Sequence, residues 1–114
     1  MNELDNHPTI DLSIDDLNVL YASYMPFLTH GGIFAPGTWP YRLGAEVMLH
    51  LSLFGNYAIR ISTTVVWVTP QSAGARIRGI GLAFPDTKEG ENAKMVIEKK
   101  LGDLLQSTKP TYTI

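Results

Sequence analysis

Three histidines, a pair of adjacent aspartates and one aromatic bend are the groups in this 114-residue chain with the most chemical potential. His7, His30 and His50 stand at separations that match no metal-ligand pattern, and there is no cysteine to complete a set. The lack of cysteine also excludes a disulfide framework and thiol chemistry. His50 falls on the polar side of an alternating run, where a solvated imidazole is the ordinary state. Asp15-Asp16 has the adjacency of a paired acid, yet two carboxylates between apolar runs suit a turn. Gly79-x-Gly81 leads into strand residues rather than a helix, so a dinucleotide-binding phosphate turn of the Rossmann kind is not supported. No serine elbow, phosphate-binding Walker loop or kinase motif set occurs. These residues point away from an enzyme and require no metal or cofactor.

The aromatic bend is a different matter. Tyr21, Tyr24, Met25 and Phe27 cluster around Pro26, and these residue types are enriched in the cores of protein interfaces. Core packing is the competing role for each. Alternation from Leu20 sends Tyr24 or Phe27 inward, whereas Tyr21 faces out if Leu20 and Ala22 face in. Tyr112 and Ile114 near the C-terminus carry a similar pair of readings, an anchor that orders on a partner or a frayed end. Trp39 and Tyr41, beside Pro36-Gly37, are expected to pack over one end of the fold.

What positions these residues is mostly strand. Val47, Leu49, Leu51 and Leu53 alternate with polar neighbours, the signature of a half-buried strand. Residues 59–68 alternate likewise, with Ile59, Ile61, Val65 and Trp67 on one side and Arg60, Ser62 and Thr64 on the other. Phe54-Gly55-Asn56-Tyr57 supplies the hairpin turn between them. After a loop at Gln71-Ser72-Ala73-Gly74, Ile80, Leu82 and Phe84 alternate with Gly79, Gly81 and Ala83, leaving one face open to close packing. Upstream, residues 9–14 and 17–24 read as strands around the Asp15-Asp16 turn, and 32–35 resume an extended run. Near the C-terminus, Ala93, Val96, Ile97, Leu101, Leu104 and Leu105 fit helical spacing over residues 91–106, although Gly102 weakens the last turn. Glu89 and Glu91 at its start and Lys99 and Lys100 at its end suit the helix dipole.

The fold class is therefore mainly β: a barrel of about six antiparallel strands with one C-terminal amphipathic helix. The domain is expected over 9–106, with flexible segments at 1–8 and 107–114. An apolar content of 45% with 18% charged residues is that of an ordinary globular domain. No run reaches the roughly 18 apolar residues that span a bilayer, and the N-terminus lacks a signal-peptide pattern, so a cytoplasmic location without membrane insertion is expected. The formal net charge of −2 and the absence of any Lys or Arg before Arg42 argue against nucleic acid as a partner.

Taken in order, Val19-Leu20-Tyr21-Ala22-Ser23-Tyr24-Met25-Pro26-Phe27, Gly31-Gly32-Ile33-Phe34, Leu43-Gly44-Ala45-Glu46-Val47, Val65-Val66-Trp67-Val68-Thr69-Pro70 and Gly79-Ile80-Gly81-Leu82-Ala83-Phe84 resemble the PilZ-domain family, in particular its type IV pilus assembly branch. The tail Lys109-Pro110-Thr111-Tyr112-Thr113-Ile114 resembles that branch as well. The resemblance implies two cyclic di-GMP motifs: Arg-x-x-x-Arg ahead of the barrel and Asp/Asn-x-Ser-x-x-Gly after the second strand. Paired guanidinium groups give bidentate contacts to phosphate and stack on guanine, while the turn's side-chain oxygens accept hydrogen bonds. Here Gly32 matches the motif glycine, but Phe27 holds the Asp position and Thr29 the Ser position, and the upstream arginines are missing. The resemblance thus implies a non-enzymatic adaptor for pilus biogenesis and twitching motility. Its implied partners are the pilus extension ATPase and a degenerate EAL-domain scaffold that senses cyclic di-GMP, with the tyrosine at position 21 as a contact. Direct binding of cyclic di-GMP at an atypical site is the alternative.

Overall fold

The computed structural model describes residues 8–71, 74 and 76–113. Ser72 and Ala73, half of the expected loop, lie outside that set, as does the Ile114 contact. Five strands form one curled sheet: β1 (Thr9–Ile14), β2 (Gly32–Pro36), β3 (Glu46–Leu53), β4 (Tyr57–Val68) and β5 (Gly79–Ala83). Their order is β1-β3-β4-β5-β2. Three of the neighbour pairs are antiparallel, while β1 runs parallel to β3, with Asp11 opposite His50. The expected six-stranded, all-antiparallel barrel is thus corrected to a mixed half-barrel of five strands. A parallel neighbour needs a crossover rather than a hairpin, and the chain between β1 and β3 is long enough to supply one that includes β2.

The missing strand is a helix, α1 (Leu17–Ser23). Asp16, expected in a turn, is its N-cap: its carboxylate accepts the N–H groups of Asn18 at 2.8 Å and Val19 at 3.1 Å. The buried positions Leu20, Ser23 and Tyr24 fall at i, i+3 and i+4. That is a helical stripe, hidden in the sequence by Val19 and Tyr21, whose types favour strands. The helix stops at Tyr24, already extended at ψ 139° and two residues ahead of Pro26.

A second helix, α2 (Lys88–Leu101), closes the half-barrel, so the described residues form two α-helices where one was expected. The Thr87 hydroxyl caps it by accepting the Gly90 N–H at 3.1 Å. Ala93, Ile97 and Leu101 are buried against the sheet, and the acidic first turn and basic last turn stand as the dipole favours. It ends earlier than the apolar spacing predicts. Gly102 adopts φ +50°, a left-handed conformation that stops the α-helix, and residues Gly102–Gln106 continue as a 3-10 turn.

The alternation in β3 holds as read, and that in β4 holds as far as Val65; there the register against β5 shifts, so that Trp67, expected on the side of Ile59, Ile61 and Val65, stands opposite Gly81 on the other face. Val47, Leu49, Leu51 and Leu53 are all buried, as are Ile61 and Val65. At the hairpin between them Phe54 itself takes φ +54° beside Gly55, with the Lys100 ammonium 5.1 Å from its ring centroid. The small-residue face of β5 is closely packed: Phe34 lies against Gly79 and Met25 against Gly81. Trp39 and Tyr41 stack at 6.2 Å over the edge of the core.

Candidate functional site

The segment between α1 and β2 is the bend that carries the aromatic cluster. Its backbone closes on itself: the Met25 N–H donates to Gly32 O at 2.9 Å, Gly31 N–H to Leu28 O at 3.0 Å, and Tyr24 bridges Ile33. The glycine at position 32 faces inward, where a Cβ would come within 2.6 Å of the Leu82 carbonyl oxygen and 2.7 Å of Leu28 Cδ1. It serves the close approach of β2 to β5, and is buried. Thr29 and Phe27 are on the outside, Phe27 with 53% of its surface exposed.

Two of the expected contact residues are corrected. Tyr24 and Met25 are each only 1% exposed, Met25 because its thioether fills the space above Gly81. The Tyr24 hydroxyl donates to Glu98 of α2 at 2.5 Å. Burial first, then the Glu98 hydrogen bond and its charge, push the phenol well above its ordinary range, so it remains a protonated donor. These residues fix the bend to the core.

Tyr21 is half-buried, and helical geometry rather than strand alternation turns it outward from Leu20. Its hydroxyl lies 2.7 Å from Lys109 O and 3.1 Å from Ser107 O, donating to the tail. The tail, expected to be loose, is packed. The Tyr112 N–H donates to Ala22 O at 3.0 Å, the Tyr112 ring meets Phe34 at 5.1 Å, and Thr113 is buried. Tyr112 is thus an internal anchor between α1 and β2.

Together α1, the bend, the end of α2 and the tail enclose a groove of about 710 Å³. Tyr21, Tyr24 and Phe27 share its wall with Leu101 and Leu105, while Arg76 and Lys109 bring the charge. Sequence reasoning missed the last four. Leu105 carried a signal, an apolar residue past the end of the buried stripe that Leu101 closes, but Arg76 comes from a distant loop and had none.

The structure is a five-stranded half-barrel closed by a helix, with an aromatic bend at its mouth. The PilZ domain family model matches residues 6–104, nearly the whole chain. The chain belongs to the PilZ domain family. PilZ domains act as cyclic di-GMP-binding or adaptor modules and are in general non-enzymatic. Comparison with curated proteins gave no match. Among the described residues no group of three or more His, Cys, Asp or Glu is placed to hold a metal ion, and no helix is long and apolar enough to cross a membrane.

Proposed function

We propose that this chain is a non-enzymatic adaptor in type IV pilus biogenesis and twitching motility. In this reading it works in the cytoplasm by protein contact, with the pilus extension ATPase and a degenerate EAL-domain scaffold that senses cyclic di-GMP on its behalf. One observation carries the reading. Phe27, standing where a ligand-binding turn needs an Asp, projects half-exposed at the lip of an apolar groove. A hydrophobic side chain presented in this way suits a protein partner and cannot accept a hydrogen bond from guanine. The inward-facing Gly32 and the lack of Lys or Arg in residues 1–41 support it further, because neither a close backbone approach nor a phosphate clamp is offered there.

Arg76 at the groove is the observation that favours a second reading, direct binding of cyclic di-GMP at an atypical site. A guanidinium group stacks on guanine and pairs with phosphate. Calorimetric titration of the isolated chain separates the two. The adaptor reading expects no heat of binding with cyclic di-GMP at micromolar concentrations and co-purification of the wild-type chain with the ATPase and the scaffold. Micromolar binding of the dinucleotide, with neither protein retained, would reverse that choice.

A further inference from the structure

The groove has a narrower chemistry than apolar contact in general. Its accessible apolar wall is Phe27 and Leu105 with the half-buried ring of Tyr21, backed from beneath by the buried Tyr24 and Leu101. Three of the hydroxyls along that wall are already engaged. The Tyr21 hydroxyl is held by two tail carbonyls, the Tyr24 hydroxyl by Glu98, and the Ser107 hydroxyl accepts the Lys109 N–H at 3.1 Å. An extended peptide or a nucleobase laid on such a wall leaves its own polar groups without partners, a cost of about 1–3 kcal/mol each. An α-helix brings its backbone hydrogen bonds satisfied within itself and needs only apolar side chains at i, i+4 and i+7 to fill the space.

The groove's charge is of one sign. Arg76 and Lys109 line it, and among the described residues none that lines it is acidic. Both cationic residues are exposed. Unlike the acidic first third of the chain, this face therefore attracts anions, with a salt dependence set by screening over about 10 Å at 0.1 M ionic strength.

We infer that the groove is the docking site for an amphipathic helix with an acidic polar face. Its aliphatic or aromatic side chains lie against Phe27 and Leu105, and its carboxylates meet Arg76 and Lys109. The inference rests on the adaptor reading above and adds to it the chemistry of the occupant.

The test uses the full chain and three fluorescein-labelled peptides of about 18 residues, long enough to form a helix. One carries leucines at i, i+4, i+7 and i+11 with glutamates on the opposite face. A second replaces every glutamate with lysine, and a third shuffles the first so that no apolar stripe remains. Binding is followed by fluorescence anisotropy and by the methyl resonances of Leu101 and Leu105. The acidic helix binds and shifts both methyls, while the lysine and shuffled peptides bind at least about tenfold more weakly. An Arg76→Glu/Lys109→Glu double variant reverses the preference between the two charged peptides. Phe27→Asp weakens the acidic peptide by about tenfold or more with an unchanged melting midpoint. Equal binding of the acidic and lysine peptides, equal binding of the shuffled one, shifts confined to other methyls, or no binding at all overturns the inference. If the peptides fail while the ATPase still binds wild type and loses Phe27→Asp, only the helical occupant is wrong. If the ATPase is not retained either, the adaptor reading falls with it.

Discussion

Phe27 and Tyr24 lie three residues apart and do opposite things. Phe27 is half-exposed and holds nothing in place, so Phe27→Ala is expected to change the unfolding free energy by less than about 0.5 kcal/mol, measured by urea denaturation. Tyr24 is buried and bonded to Glu98, and Tyr24→Phe is expected to cost about 1–3 kcal/mol in the same measurement, because a carboxylate loses its donor. The raised Tyr24 pKa adds a pH dependence whose sign is fixed. The folded phenol stays protonated where the unfolded one, with an ordinary value of 10.0, ionises. Its contribution is therefore complete below about pH 10 and declines as pH rises further, and Tyr24→Phe is expected to flatten the alkaline limb of the stability profile. From the sequence, both aromatics carried the same pair of readings, core or contact. Nothing local distinguishes them, because Tyr24 is buried in a core built from the whole chain and its hydroxyl is held by a carboxylate seventy-four residues away. The exposure of Phe27 was legible only as a possibility, and its groove partners Leu105 and Arg76 are brought by elements far along the chain.

At the scale of elements, strands whose alternation faces one core could be read directly: β3 came out as expected, and β4 did so up to Val65, beyond which a register shift that no local pattern announces turns Trp67 to the other face. α1 did not, because its seven residues hold too few turns for periodicity to outweigh the strand preference of Val19 and Tyr21. The decisive feature was the Asp16 cap, and Asp-Asp before an apolar run fits a turn as well as a cap. The C-terminal helix was legible in its charges and stripe but not in its end. Gly102 reads in sequence as a weak helical residue, where Ala ought to help by about 1 kcal/mol. In the fold it holds φ +50°, ψ −121°, a conformation that penalises any Cβ. Gly102→Ala is therefore expected to destabilise by about 1 kcal/mol or more, and a gain in thermal denaturation would show that the helix runs on through it.

Over the whole molecule, the tail decides what is free to meet a partner. Residues 107–113 tie α1 to β2 through Tyr21, Ala22 and Phe34, well beyond the last regular helix. A chain ending at Gln106 loses the Tyr112 ring contact and the acceptors of the Tyr21 hydroxyl. It is expected to be about 2–4 kcal/mol less stable in chemical denaturation, so loss of a partner on truncation would report folding as much as contact. Tyr21→Ala carries the same ambiguity, since the residue holds the tail. The tail's packing was illegible in the sequence because residues 107–113 have no periodicity, and their partners lie some ninety residues upstream. The family frame, by contrast, was legible from strings spread along most of the chain, which is also where the domain match runs.

The most direct test of the adaptor account is the affinity of the pilus extension ATPase for the wild-type chain and for Phe27→Asp, measured by calorimetry on proteins of equal melting midpoint. The account predicts that the variant binds at least about tenfold more weakly, as expected for a central apolar anchor replaced by a charge. Equal affinity for the two chains would contradict it.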